Sequence, residues 1–220
     1  ITDDGGLVNK EYFSLTFGPT YREMRSNHIE LTVNSSGNFA YNDYPKNNQG
    51  IGFLYKNSEN ILFEGAFMAG VSPEKISNSA RGEMQSRKDE SFEFDSIVNL
   101  IKPGNLAAEE AYVSFYSIYD EQSIDIEVIQ NVYQFDDEGK EDYIIAVYDL
   151  VNSSVLPYDS LYAGLYFDWD IGPAGADNVC EWLWQDSIGI VQNVKTDTLP
   201  LTGAKLLSSQ KINLDRKSVV

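Results

Sequence analysis

The sequence YIIAVYD at residues 143–149, followed by LYAGLYFDWDIG at residues 161–172, is the densest run of β-branched and aromatic residues in the chain. In the second stretch, apolar residues alternate with tyrosines and aspartates, which predicts one apolar face and one face that ends in Asp168 and Asp170. The first stretch is apolar on both faces, as in a strand that is covered on both sides. We therefore predict two central strands of a β-sandwich.

The composition favours one all-β domain over the 220 residues. Apolar residues make up 42% of the chain, and its 14 tyrosines and 11 phenylalanines prefer strands. We predict an antiparallel β-sandwich of jelly-roll or supersandwich type with one or two short helices. Residues 1–10 form a lead-in, residues 73–110 a connecting region, and residues 208–220 a peripheral tail.

Alternating and apolar segments bounded by turn residues mark the strands. These segments are 11–17, 29–34, 39–44, 51–55, 61–71, 112–119, 124–135, 143–151, 161–171, a pair within 182–191, and 201–207. Glycines within 51–55 and 61–71 indicate bulges, or places where an aromatic side chain packs on bare backbone. Ser72-Pro73-Glu74-Lys75 has the composition of a helix start, and residues 106–111 that of a helical turn.

Charge and missing motifs exclude several functions. The chain has 16 basic and 34 acidic residues, so its net charge is 16 − 34 = −18, which repels nucleic acid. No apolar run reaches the roughly 18 residues of a membrane span. One cysteine, Cys180, and one histidine, His28, cannot form a structural zinc site within the chain. No nucleophile elbow, dinucleotide motif or phosphate loop occurs.

Two acidic clusters are candidate calcium sites, because calcium binds six to eight oxygens and needs no histidine or cysteine. The first contains Asp136 and Asp137, with Glu138, Glu141 and Asp142 in the same turn. The second consists of Asp168, Asp170 and Asp177 with Asn178. A solvated acidic surface is the alternative. Asp168 and Asp170, about 6.5 to 7 Å apart along a strand, also have a spacing that glycoside hydrolysis could use.

Four aromatic residues are candidates for a sugar-binding platform, in which rings stack on a glycan: Trp182, Trp184, Tyr162 and Tyr166. Trp182 and Trp184 share a face if their segment is extended. The alternative is that they pack in the core. A binding module should expose these aromatics, whereas a passive spacer should bury the tryptophan pair.

Several segments carry a family resemblance: GIGFLY at 50–55, NILFEGAFMAG at 60–70, DYII at 142–145 and LYAGLYFDWDIG at 161–172. Over residues 28–207 the chain resembles the β-sandwich accessory regions of large secreted proteins of Bacteroidetes, often attached to subtilisin-like serine peptidases. The resemblance implies a secreted or cell-surface location and partners among the other domains of a parent polypeptide. The start at Ile1 is likewise expected of a piece of a longer chain.

The resemblance transfers no functional residue, and the Gly-Thr-Ser-x-Ala and His-Gly-Thr segments of subtilisin-like peptidases are absent. The sequence therefore predicts a non-catalytic accessory domain of an exported bacterial protein, for folding, spacing or contact with a polysaccharide or protein substrate. A carbohydrate-binding module with structural calcium is the alternative. An enzyme acting through Asp168 and Asp170 is a third hypothesis.

Overall fold

The computed structural model describes residues 18–43, 46–80, 91–118 and 121–207. Within these ranges the chain is almost entirely β, with 15 strands in three antiparallel sheets and one 3-10 helix. The all-β, sandwich-like fold that the sequence predicts is confirmed. The predictions for the lead-in at 1–10, the strand at 11–17 and the tail at 208–220 lie outside the described residues.

The first sheet has seven strands in the order β1-β2-β3-β5-β12, with β4 paired to β2 and β6 paired to β5. Its long strand β5 contacts β12 along one edge, and β3 and β6 along the other. The strands are β1 (Tyr21–Met24), β2 (Ile29–Asn34), β3 (Asn38–Phe39), β4 (Phe53–Tyr55), β5 (Leu62–Ser72), β6 (Lys75–Asn78) and β12 (Tyr162–Trp169).

The second sheet has five strands in the order β11-β10-β9-β7, with β8 also paired to β9. Its strands are β7 (Phe92–Phe94), β8 (Asn99–Ile101), β9 (Glu109–Ser117), β10 (Ile126–Gln134) and β11 (Ile144–Asn152). The third sheet has the order β13-β14-β15, formed by β13 (Asn178–Leu183), β14 (Ile188–Asn193) and β15 (Thr202–Lys205). The 3-10 helix, Gly175–Asp177, leads into β13.

One continuous core joins the two larger sheets. Phe67 of β5 is 2% exposed, and its ring lies 5.1 to 6.0 Å from the rings of Phe92, Phe115 and Tyr148 in the second sheet. Phe167 packs over Gly65, where an added Cβ would lie 3.2 Å from its ring. The predicted packing of an aromatic side chain on bare strand backbone is therefore confirmed at Gly65.

The prediction that the two defining strands are central is wrong. β11 and β12 each end their sheet, with β10 and β5 as their respective neighbours among the described residues. On β11, Val147 is 41% and Val151 43% exposed. An apolar residue on both faces of a strand thus does not prove that both faces are covered, since surface area on folded proteins is largely apolar anyway.

The helices predicted near residues 73 and 106 are also absent from the described residues. The Ser72 hydroxyl accepts a hydrogen bond from the Glu74 backbone N–H, and the chain turns directly into β6. At the second position, the Glu110 carboxylate accepts hydrogen bonds from the backbone N–H groups of Leu106 and Ala107. These hydrogen bonds close turns that do not continue as helices, and residues 73–110 contribute β6, β7 and β8 instead.

Among the described residues, no helix combines the length and the apolar composition that a membrane crossing requires.

Candidate functional site

The hairpin of β13 and β14 carries the most exposed tryptophan of the chain's described part. Trp184 follows β13 directly and is 83% exposed, while Trp182 within β13 is partly buried. Their ring centroids are 6.1 Å apart at an interplanar angle of 85°, an edge-to-face pair. The shared face that strand alternation predicts is consistent with this contact, and the alternative of packing in the core does not hold for Trp184.

The ring of Trp182 packs against the neighbouring strand. Trp182 is paired in register with Gly189 of β14, and a Cβ added to Gly189 would lie 3.5 Å from the indole ring. The indole thus rests on backbone, which fixes the ring against which Trp184 packs. Beyond the pair, the hairpin turn presents the exposed polar side chains of Gln185 and Asp186.

The two candidate tyrosines lie in a different sheet. Tyr162 and Tyr166 of β12 are 63% and 41% exposed and face outward, opposite Gly70 and Ala66 of β5. Partial burial, together with the charge of Asp168 and Glu64, raises the pKa of the Tyr166 hydroxyl. The four predicted aromatic residues therefore lie on the first and third sheets and do not line one strand pair.

The second acidic cluster is spread over three local structures. Asp168 is on β12 opposite Glu64, and a register shift follows between Asp168 and Trp169, so the alternation that would aim Asp168 and Asp170 the same way is interrupted. Asp177 lies in the 3-10 helix. In the part of the chain that the structure describes, no three histidine, cysteine or acidic side chains converge on a metal position. Calcium binding stays a prediction.

In the first acidic cluster, two of the carboxylates form ion pairs with side chains of the protein itself. Asp137 Oδ2 is 2.8 Å from Lys140 Nζ. Asp142 turns away from the cluster toward β2 and β4. The turn that holds Asp136, Asp137 and Glu138 thus has part of its charge neutralised locally.

Asp142 is the centre of a polar cluster that the sequence does not indicate. Its Oδ1 lies 2.8 Å from His28 Nδ1 and 3.4 Å from Lys56 Nζ, and it accepts a hydrogen bond of 2.9 Å from the Tyr55 hydroxyl. These donors lower the pKa of the Asp142 carboxyl, His28 having the largest effect. The cluster fastens the turn before β11 to β2 and to the β4–β5 turn, and it orients the imidazole.

Comparison with known proteins leaves function to be argued from these surfaces. The chain matches no protein-family model, no curated protein and no solved structure. The exposed tryptophan pair is the arrangement among those described here that most resembles a ligand-binding surface, because it offers apolar ring area beside hydrogen-bonding side chains.

Proposed function

We propose that this chain is a non-catalytic accessory β-sandwich module of an exported bacterial protein, such as a secreted subtilisin-like peptidase, and that it contacts a polysaccharide through Trp182 and Trp184. The observation that carries the proposal is the 83% exposure of Trp184 beside a second indole. An exposed indole has no evident use in a passive spacer, whereas a binding module can use it to stack on a sugar. The exported setting is supported by the sequence resemblance.

The energetics of stacking suit a weak, reversible contact. If the apolar face of one sugar covers about 60 Å² of indole, the burial contributes ~1.5 kcal/mol at about 25 cal/mol per Å². Gln185 and Asp186 at the hairpin tip are placed to add hydrogen bonds to sugar hydroxyls. Such a site binds one chain segment weakly, and it holds a polymer by repeated or multivalent contact.

Charge selects the class of glycan. The chain has a net charge of −18, and both Glu181 and Asp186 lie within five residues of Trp184 and are exposed. An anionic polysaccharide would be repelled, whereas a neutral one would not. The proposed ligand is therefore a neutral polysaccharide.

The test is binding to soluble neutral polysaccharides, such as β-glucan and mannan, with an anionic pectin as comparison. We expect retarded migration in gels that contain a neutral glycan, and a loss of that retardation in Trp184→Ala. Tyr162→Ala, which removes an exposed aromatic ring from the other sheet, is the matched control and should bind normally. Binding that depends on Tyr162 and not on Trp184, or an absence of binding to any neutral glycan, would refute the proposal.

A further inference from the structure

β11 and β12 follow one another in the chain, and each has one sheet edge that no described strand pairs with. Within residues 18–43, 46–80, 91–118 and 121–207, β11 pairs with β10 alone and β12 with β5 alone. They are nine and eight residues long, longer than the other strands that end these two sheets. Each open edge presents backbone N–H and C=O groups that another strand could bind.

Apolar side chains surround the open edge of β12 on both faces. Leu165 is 40% exposed although it lies opposite Phe67 and therefore points toward the core side. Tyr162 and Tyr166 are exposed on the outer side, and a Cβ added at Gly164 would meet no atom of the described residues within 4 Å. Both sides of this edge thus have unfilled space next to apolar surface, as expected where one more strand would fit.

The loop between β11 and β12 adds exposed apolar side chains, since Val155 is 99% and Leu156 70% exposed. Neither strand contains proline or lysine, and on β12 the charge of Asp168 and the bulge after it protect only the last residues of the edge.

The charge of the region indicates what the occupant is like. From residue 141 to residue 194 the chain has nine acidic residues and no lysine, arginine or histidine. Asp159 precedes β12 in the chain and Asp168 lies on it, so the charged residues of this stretch are acidic. A second copy of this chain, with its net charge of −18, would be repelled. A partner with basic residues would be attracted.

We propose that the free edge of β12 binds an extended segment of a partner protein that alternates apolar and basic residues and adds a strand to the first sheet. Main-chain hydrogen bonds to β12 would provide the affinity. The partner's apolar side chains would cover Leu165 on one face, and its basic side chains would approach the acidic residues that border the edge. This site is separate from the tryptophan pair, so either proposal can fail alone.

The test uses two synthetic ten-residue peptides, one alternating valine with lysine and the other alternating valine with glutamate. We expect the lysine peptide to bind the full chain and to slow hydrogen exchange at backbone amides of β12, and the glutamate peptide not to bind. Tyr162→Lys and Leu165→Lys should each weaken binding at least tenfold by placing a charge at the edge. Leu106→Lys is the matched control, because it adds the same charge at a residue that is 74% exposed in another loop.

Several outcomes would overturn the proposal. One is equal weakening by Leu106→Lys, which would indicate general attraction to an acidic protein. Others are protection of amides away from β12, and protection in the free monomer of the β12 amides that point away from β5, which would mean that the chain covers its own edge. Dimerisation that the β12 variants abolish would assign the edge to a second copy. Because Tyr162 is 63% exposed, Tyr162→Lys should fold even if Leu165→Lys does not.

Discussion

Replacement of Phe67 by alanine should remove the contact that does most to hold the two larger sheets together. Phe67 is 2% exposed, and three rings of the opposite sheet lie 5.1 to 6.0 Å from its centroid. A buried Phe→Ala change costs about 3 to 5 kcal/mol through lost burial and the cavity that remains. Because three aromatic neighbours on separate strands cannot all collapse inward, we expect the upper half of that range.

Urea unfolding of the wild type and of Phe67→Ala, followed by tryptophan fluorescence and far-ultraviolet circular dichroism, measures the loss. The control is Phe94→Ala on β7, since Phe94 is 46% exposed and should cost less than about 1 kcal/mol. Against a typical total stability of about 5 to 15 kcal/mol, the Phe67 variant would be marginal. A loss no larger than that of Phe94→Ala would refute the assignment of Phe67 as the contact between the sheets.

Three further predictions concern backbone, charge and metal. Gly37 and Gly139 both have a positive φ, +87° and +82°, but a Cβ added to Gly37 would lie 2.6 Å from the Phe115 ring, whereas one added to Gly139 would meet nothing within 4 Å among the described residues. Gly37→Ala should therefore lower the unfolding free energy by at least about 1 kcal/mol more than Gly139→Ala, and equal losses would contradict the contact with Phe115. Asp142 has a lowered pKa, so its stabilising contribution is fully present above the ordinary carboxyl pKa and is lost as pH falls through that lowered pKa. The difference in urea midpoint between wild type and Asp142→Asn should therefore narrow as pH falls below about 4, and a difference that does not narrow in acid would count against it. Calcium at about 100 times its Kd should raise the free energy of unfolding by ~2.7 kcal/mol and so raise the melting temperature, and Asp170→Asn should abolish this stabilisation. A melting temperature that neither calcium nor a chelator changes would contradict calcium binding.

The strands of the second half could be predicted closely from the sequence. The segments 112–119, 124–135, 143–151 and 161–171 correspond to β9 through β12 with ends that differ by at most three residues. Their alternation and their turn residues are local signals, which a single sequence contains. Strand order is not local. Which strand ends a sheet depends on pairing between distant segments. The local pattern of β11 and β12 therefore predicts central strands of the sandwich, although both end their sheets.

In the candidate site, too, the features that depend on neighbouring residues could be predicted, and those that depend on distant segments could not. The common face of Trp182 and Trp184 follows from a spacing of two residues, but the exposure of Trp184 depends on its place at a hairpin tip. The Asp142 cluster joins residues that are 114 and 87 positions apart in the chain. The sequence pattern alone groups Asp142 with the acidic residues of its own turn. No residue near His28 in the sequence indicates that its imidazole contacts Asp142.

The pairing of β5 with β12 joins residues 62–70 to residues 162–169. β5 therefore lacks this partner strand until about 90 more residues have been synthesised. At about 5 to 20 residues per second, a ribosome needs roughly 5 to 18 s to add that length. Until then the apolar strand at the middle of the first sheet has one unpaired edge in every growing chain. Completion of this sheet thus requires synthesis to pass residue 169, and a chain truncated before residue 162 should depend on chaperones to stay out of aggregates.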